Sequence, residues 1–292
     1  MKRSLSIVGA GRVGRTLGRR LHRLGWPIGA VVTRSAATSR VAVREIGAGK
    51  PYSQLVPEIF DSNVILLTTP DGALSGVAGA LAKFDETKLR GKIVLHTSGA
   101  LDRTVIAPLA RRGASTGSIH PMQTFTGRGA PKLEKVIFAV EGDRRATIVA
   151  RKIARSLGGV PVTINSKNKP AYHAAGALVA GHGLGLIEAA TQVLLKLGFS
   201  RGDSMRALLP LMRQMLDNFE RLGPRESWTG PLSRGDFATV AKHTKALRNY
   251  PSEFNDAHAA LALLASRVLS KNSAAASKHL KRALRKSTGG KS

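Results

Sequence analysis

A chain of 292 residues is long enough for one large domain or two ordinary ones, and a hydrophobic content of 42% supplies a sizeable core. Cysteine is absent, which excludes disulfides, thiolate nucleophiles and cysteine-bound metals. Lys and Arg number 46 against 18 Asp and Glu, and the resulting +28 attracts polyanions and small anions alike. With Phe, Trp and Tyr together at 4%, however, the aromatic interleaving of single-strand binders is missing, so specific nucleic-acid recognition is not expected.

In chain order, "SLSIVGAGRVGRTLGRRLHRLG" reads as strand, glycine loop and helix, with Val13, Leu17, Leu21 and Leu24 on one face and a stop at Gly25. The opening "MKRSLSIVGAG" mimics a short signal peptide, but Gly9 and Gly11 interrupt its apolar run too early. A strand at "PIGAVVTRS", a short helix at "VAVREIGAGKP" and a continuous apolar strand at "SNVILLTTPD" follow. Next come a helix at "GALSGVAGALAKF", a strand at "GKIVLHTSGAL", a helix at "DRTVIAPLARRG" and a strand at "ASTGSIHPMQTF". "KVIFAVEGD" and "VPVTINS" then bracket the helix "RRATIVARKIARSLGG".

This alternation predicts an α/β fold, a doubly wound Rossmann sheet with right-handed crossovers over residues 1–166. The pattern then turns helical, predicting an all-α domain over 167–270. Residues 271–292 carry seven Lys or Arg and no acid, and are expected to be a disordered, solvated tail. No uninterrupted run of about 18 apolar residues occurs, so a cytoplasmic protein without a membrane span is expected.

Gly9, Gly11 and Gly14 form G-x-G-x-x-G between the first strand and helix, the setting in which the pattern indicates a dinucleotide. Gly9 serves the tight turn, Gly11 the approach of a pyrophosphate, and Gly14 close packing of helix on strand, while the helix start at Arg12 and Val13 offers unpaired N–H groups. About 20 residues on, an NAD site would carry an acid for the ribose hydroxyl. Here Thr33, Arg34 and Ser35 stand instead. Arg34 can grip a 2′-phosphate, with the neighbouring hydroxyls and Arg12 assisting, so the expected cofactor is NADP.

Ligands in such sheets lie beyond the carboxyl ends of the strands. "TTPD" brings Thr69 and Pro70 beside the adenosine or ribose, and "HTSG" puts Thr97 and Ser98 near the nicotinamide end or, equally, at a helix cap. In "SIHPMQTF", His120 closes a strand and Pro121 fixes the backbone after it. An imidazole with an ordinary pKa near ~6.5 can give or take the proton that accompanies hydride transfer, or simply cap the strand. In the long helix that follows, Asn168 suits a cap and Pro170 a first turn, and Lys169 and His173 share a face. Lys169 would there lower the His173 pKa, leaving a neutral base. His182, about half a turn out of phase with His173, is expected to be packed. Gly176, Ala180, Gly183 and Gly185 suggest close helix–helix approach. In "TGPLSRGDFATVAKH", Asp236 caps a helix, and Arg234 either clamps an anionic substrate or belongs to a plain capped loop. No His/Asp/Glu cluster has metal-ligand spacing, so no metal is expected.

GAGRVG with Thr33-Arg34, "TTPD", "HTSG" and "IHPMQTF" resemble the Rossmann-like domain of the 6-phosphogluconate-dehydrogenase-like superfamily. Together with "KPAYHAA" and "TGPLSRGD", they resemble a bacterial NADP oxidoreductase family whose helical C-terminal domain is of unknown function; the resemblance covers residues 4–265. It implies an NADP-dependent enzyme acting on a small carbonyl, hydroxy-acid or imine substrate, and a homodimer. A more distant similarity to prephenate and arogenate dehydrogenases implies that Ser98 and His120 handle the substrate's proton, although Gln123 and Thr124 replace the glycine that commonly follows "HPM" there. His173 or Lys169 would complete the pocket. The alternatives are a non-catalytic NADP-binding regulator and an NADP:deazaflavin-type reductase.

Overall fold

The structure is a computed structural model and describes residues 4–127, 129, 131–271 and 273–288. Two compact units divide between Gly181 and His182.

In the first unit eight strands form one sheet: β1 (Leu5–Val8), β2 (Ile28–Val32), β3 (Lys50–Tyr52), β4 (Val64–Leu67), β5 (Ile93–His96), β6 (Ser115–Pro121), β7 (Ile137–Gly142) and β8 (Val160–Thr163). Their order is β3-β2-β1-β4-β5-β6-β7-β8. Helices α1 (Arg12–Arg23), α2 (Ala36–Ile46), α3 (Asp71–Leu81), the single turn α4 (Glu86–Leu89), α5 (Ala107–Arg111) and α6 (Arg144–Ser156) connect them. Every pairing is parallel except β6–β7. No helix is found among the described residues between those two strands, and without a crossover the chain turns back on itself. The short β3 was not anticipated; its Lys50-Pro51-Tyr52 has no apolar alternation, and it forms because β2 leaves an open edge.

The apolar strands follow from two-sided cover. Leu5 and Ile7 face one layer with Leu17 and Leu21 of α1 and Val149 and Ile153 of α6. Val8, Ile65 and Leu67 face another with Leu74 of α3 and Leu109 of α5. Each such leucine, fully removed from water, contributes roughly 1.5–3 kcal/mol. Helix α1 ends as its sequence requires: Gly25 takes φ +82° and donates to the His22 carbonyl at 2.8 Å, and Trp26 N–H reaches Leu21 at 3.0 Å.

After β8, α7 (Lys169–Ala177) begins, with Pro170 in its first turn. Asn168 makes no side-chain cap; Asn165 does so one turn earlier, accepting from Lys167 N–H. A π-helical turn, Leu178–His182, then shifts the phase of the helix. The first unit therefore extends past residue 166, because the start of this helix is anchored to the sheet by the buried Lys169. By length and composition the continuous segment Ser166–Lys196 could cross a membrane (mean hydropathy 1.4), although glycine, histidine and threonine interrupt any apolar run.

The second unit holds α8 (Gly183–Lys196), α9 (Arg201–Glu226, broken at Gly223), α10 (Phe237–Leu247), α11 (Ser252–Leu269) and α12 (Ser273–Thr288). The basic tail is thus a helix over most of its length, not a disordered segment. Leu280 and Leu284, one turn apart, are buried with Val240 among Phe237, Ala259 and Leu263, and that burial outweighs the polar, charged composition of the tail. His182 is exposed rather than packed. An added Cβ at Gly183 or Gly185 would meet nothing within 4 Å, so neither marks a close helix approach within this chain.

Candidate functional site

The order of the strands reverses at β1, and the carboxyl ends of β2, β1, β4, β5 and β6 lie side by side along one edge. They carry, in that spatial order, Thr33-Arg34-Ser35, Gly9–Gly14, Thr68–Pro70, Thr97–Gly99 and His120. Four strand spacings separate the first from the last, about 19 Å.

The three glycines are there for different reasons. Gly9 has φ +85°, and a Cβ on it would lie 2.4 Å from Thr69 Cγ2 and 2.7 Å from Thr69 N. At Gly14 a Cβ would meet Thr68 Oγ1 at 2.3 Å and Ile7 Cγ2 at 3.2 Å. Thr68 in turn latches the loop, donating to the Gly9 carbonyl at 2.7 Å. Gly11 is different: only the Gly9 carbonyl lies near its Cβ position, at 3.8 Å, so nothing in the protein's own packing demands glycine. It caps α1 without a side-chain bond, and no acid sits in the first turn, leaving the helix start suited to an anion. Arg12, Arg15 and Arg19 line a cleft of about 180 Å³ beside it, in which Glu45 pairs with Arg15 at 2.8 Å and leaves Arg12 and Arg19 in excess. The Thr69 hydroxyl, next to Gly9, is buried without a hydrogen-bond partner, and Pro70 is exposed at the start of α3. An open backbone approach, a cationic cleft and an orphaned hydroxyl together fit a dinucleotide phosphate.

At the end of β2 the three residues diverge. Thr33 Oγ1 lies 2.6 Å from Thr38 Oγ1, and Ser35 caps α2 by accepting from Thr38 N–H at 3.2 Å. These hydroxyls serve the turn. Arg34 is exposed and has no ion pair among the described residues.

At the far end His120, His173 and Tyr172 meet. The His120 and His173 rings pack edge to face with centroids 5.7 Å apart, and His120 Nδ1 lies 3.2 Å from the Tyr172 hydroxyl. Burial, then His173 and Lys169, pull the His120 pKa down to about 4, so the ring is neutral at pH 7. Burial pushes the Tyr172 hydroxyl up to about 12. Gly99 makes the arrangement possible: a Cβ there would lie 2.5 Å from His173 Cδ2 and 2.8 Å from His120 Nε2. The two histidines border a cavity of about 550 Å³ with Met122, Gln123, Thr124 and Gly176, and Gly176 is where α7 passes the Met122 sulfur. Among the described residues no charged side chain lines it. Another cavity, of about 390 Å³, opens at the opposite edge, where β4 and β5 begin.

Lys169 and Ser98 do not face this cavity. Lys169 is fully buried, donating to the Ser98 carbonyl at 3.1 Å and the Ser118 hydroxyl at 2.8 Å. Ser118 passes the chain on to Glu141 at 3.3 Å. Burial lowers the Lys169 pKa and raises that of Glu141, each opposed by the other's charge. The Ser98 hydroxyl donates to Asp71 at 2.8 Å and accepts from the Ala100 and Leu101 N–H groups, closing the turn after β5 rather than capping a helix, since the next helical turn starts at Arg103 and is capped by Asp102. His96 is locked too: Ser98 N–H donates to Nδ1, Nε2 faces the Asp102 carbonyl at 3.1 Å, and burial takes its pKa down to about 4. In the first unit the histidines whose pKa is pulled down are thus His120 and His96, with burial the first cause in each; in the second unit burial, then His243, lowers that of His258. Arg234 is exposed on the turn before α10, where Asp236 accepts from Thr239 N–H.

Tyr172, Gly99 and Glu141 escaped the sequence reading. Tyr172 had a signal: Lys169, Tyr172 and His173 stand at i, i+3 and i+4, one helical face. Gly99 and Glu141 had none, since each depends on a neighbour distant in the chain.

A Rossmann-like domain matches residues 1–121, and a domain of unknown function, DUF2520, matches residues 136–266. The chain is a Rossmann-like protein with a DUF2520 domain. Solved structures of similar fold include a Bacteroides fragilis protein described provisionally as an NADP oxidoreductase (TM-score 0.72, 20% identity, 89% of this chain and 96% of that one). A Streptomyces aurantiacus imine reductase matches with TM-score 0.68 and 15% identity over 97% and 99% of the two chains. An Aspergillus terreus reductive aminase, solved with NADPH and ethyl-5-oxohexanoate, matches with TM-score 0.61 and 19% identity over 100% and 97%. No curated protein sequence matches. At such identities the likeness is one of fold alone.

Proposed function

We propose that this protein is an NADP-dependent oxidoreductase acting on a small carbonyl, hydroxy-acid or imine substrate. The observation that carries this reading is the ribbon of strand ends: an exposed arginine, an open glycine loop and a neutral histidine beside a cavity, in the order an extended dinucleotide would meet them. Arg34 would pair with the 2′-phosphate, Gly11 and the N–H groups at the start of α1 would receive the pyrophosphate, and Thr69 would find a partner along the way. The nicotinamide supplies hydride transfer when bound. His120 is held where it can exchange a proton with the substrate heteroatom, and His173 forms the adjoining wall. Lys169 braces the ends of β5 and β6 from beneath. The described lining, Met122, Ala175, Ala177 and Val179 beside the two histidines, suits a small carbonyl or imine carbon, and the solved imine reductase and reductive aminase of similar fold are consistent with that chemistry.

The expected result is NADPH consumption with some member of a panel of keto acids, ketones and cyclic imines, lost in His120→Ala with NADPH binding retained. Binding without turnover across the panel would support a non-catalytic regulator instead.

A homodimer belongs to the same reading. Leu184, Leu211, Leu216 and Phe219 on α8 and α9 are each more than half exposed, a larger apolar face than a solvated helix pair sustains. A second copy of the chain is the proposed cover, and light scattering giving a monomer at micromolar concentration would refute it.

A further inference from the structure

The contact between His120 and Tyr172 has a direction. One hydrogen lies between Nδ1 and the phenol oxygen, 3.2 Å apart, and either side could supply it. Were Nδ1 the donor, the proton of the half-buried phenol would have to turn to solvent, since His120 is the one side chain hydrogen-bonded to its hydroxyl among the described residues. An imidazole nitrogen is the stronger acceptor and a phenol the stronger donor. A backbone N–H at Ala139 also faces the phenol oxygen, which turns the hydroxyl proton elsewhere. The edge-to-face packing of the rings, with centroids 5.5 Å apart, holds the pair in place. Helix α7 is pinned one turn earlier by Lys169, through Ser98 and Ser118, so the reach of Tyr172 is set by the sheet.

We infer that Tyr172 is a positioning residue whose hydroxyl donates to His120 Nδ1 and holds the ring in the tautomer with its proton on Nε2, over Gly99 and beside His173. The cavity then meets an N–H donor. That donor matches the lone pair of a carbonyl oxygen or an imine nitrogen, and a neutral imidazole can polarise such a group without first being protonated. The match to a substrate rests on the oxidoreductase reading; the tautomer does not.

The test uses the full chain labelled with ¹⁵N-histidine, read by two-bond ¹H–¹⁵N correlation at neutral pH, with His120 assigned from the signals lost in His120→Gln. The wild type is expected to show His120 in the Nε2–H form alone. Tyr172→Phe keeps the ring packing, so a merely structural role would leave the pattern unchanged. The expected result is instead a shift of the Nδ1 resonance toward an unbonded nitrogen and admixture of the Nδ1–H form. Turnover should fall about tenfold with KM little changed, the loss set by one hydrogen bond. An Nδ1–H tautomer in the wild type, or an unmoved Nδ1 resonance in Tyr172→Phe, would overturn the inference. If the tautomer behaves as expected and no carbonyl or imine is turned over, the positioning role stands and the oxidoreductase reading falls.

Discussion

Alanine placed in turn at Gly9, Gly11 and Gly14 should separate what the loop does for the fold from what it does for a ligand. At Gly9 the left-handed backbone costs a Cβ-bearing residue about 1–2 kcal/mol. The overlap with Thr69 backbone, 2.7 Å from the new carbon to N, adds an overpacking cost of roughly 1–3 kcal/mol, since backbone cannot swing aside. At Gly14 the carbon would sit 2.3 Å from Thr68 Oγ1, so the hydroxyl must leave the Gly9 carbonyl it now holds. That adds about 1 kcal/mol to a similar overpacking cost. Both variants should therefore melt lower, by on the order of 10 °C. Gly11→Ala should not: with φ −76° and a nearest neighbour at 3.8 Å, its cost stays within about 1 kcal/mol. Its Cβ would nevertheless occupy the approach open to a pyrophosphate, and NADPH affinity should fall by about 10- to 100-fold. Calorimetric titration beside thermal melts reads both quantities. Wild-type NADPH affinity in Gly11→Ala, or a melting loss equal to that of Gly9→Ala, would refute the reasoning.

Two further outcomes are expected. Arg34→Glu should weaken NADPH binding at least tenfold while sparing NADH, because a carboxylate repels the 2′-phosphate and accepts from a ribose hydroxyl; an unchanged ratio of the two affinities would remove Arg34 from the site. Stability of the first unit should fall as pH drops from about 6.5 toward 4. His96 and His120 stay neutral in the fold down to about 4, whereas the unfolded chain takes up their protons from about 6.5. Each contributes stability that is complete above 6.5 and lost by 4, about 3 kcal/mol, partly offset by Glu141, whose raised pKa acts in the opposite sense above 4.5. Denaturant unfolding of a Trp228→Phe variant, read through the buried Trp26, checks this, and a midpoint that holds or rises on acidification would contradict it.

Much of the fold was legible because its signals are local. The run Leu5–Val8, the glycines after it and the Leu17–Leu21 spacing predict strand, turn and helix from residues a few positions apart. The antiparallel return of β7 could have been read from the missing helix before it. The tail misled because its charges outnumber its leucines, yet Leu280 and Leu284 suffice once Val240 and Phe237 stand opposite. Ser98 was read from its hydroxyl and strand-end position, and neither reveals that Asp71 sits 2.8 Å away to claim it.

By itself the sequence determined the classes of chemistry open to this chain: a glycine loop, an arginine in place of an acid after β2, and a histidine closing a strand. The tertiary structure alone decided which groups are neutral, which are buried and which meet. Those properties depend on the dielectric surroundings and on neighbours far along the chain, 52 positions between His120 and Tyr172 and 71 between Lys169 and Ser98. Local pattern carries backbone geometry; desolvation and long-range contact exist only once the sheet has brought its strand ends together.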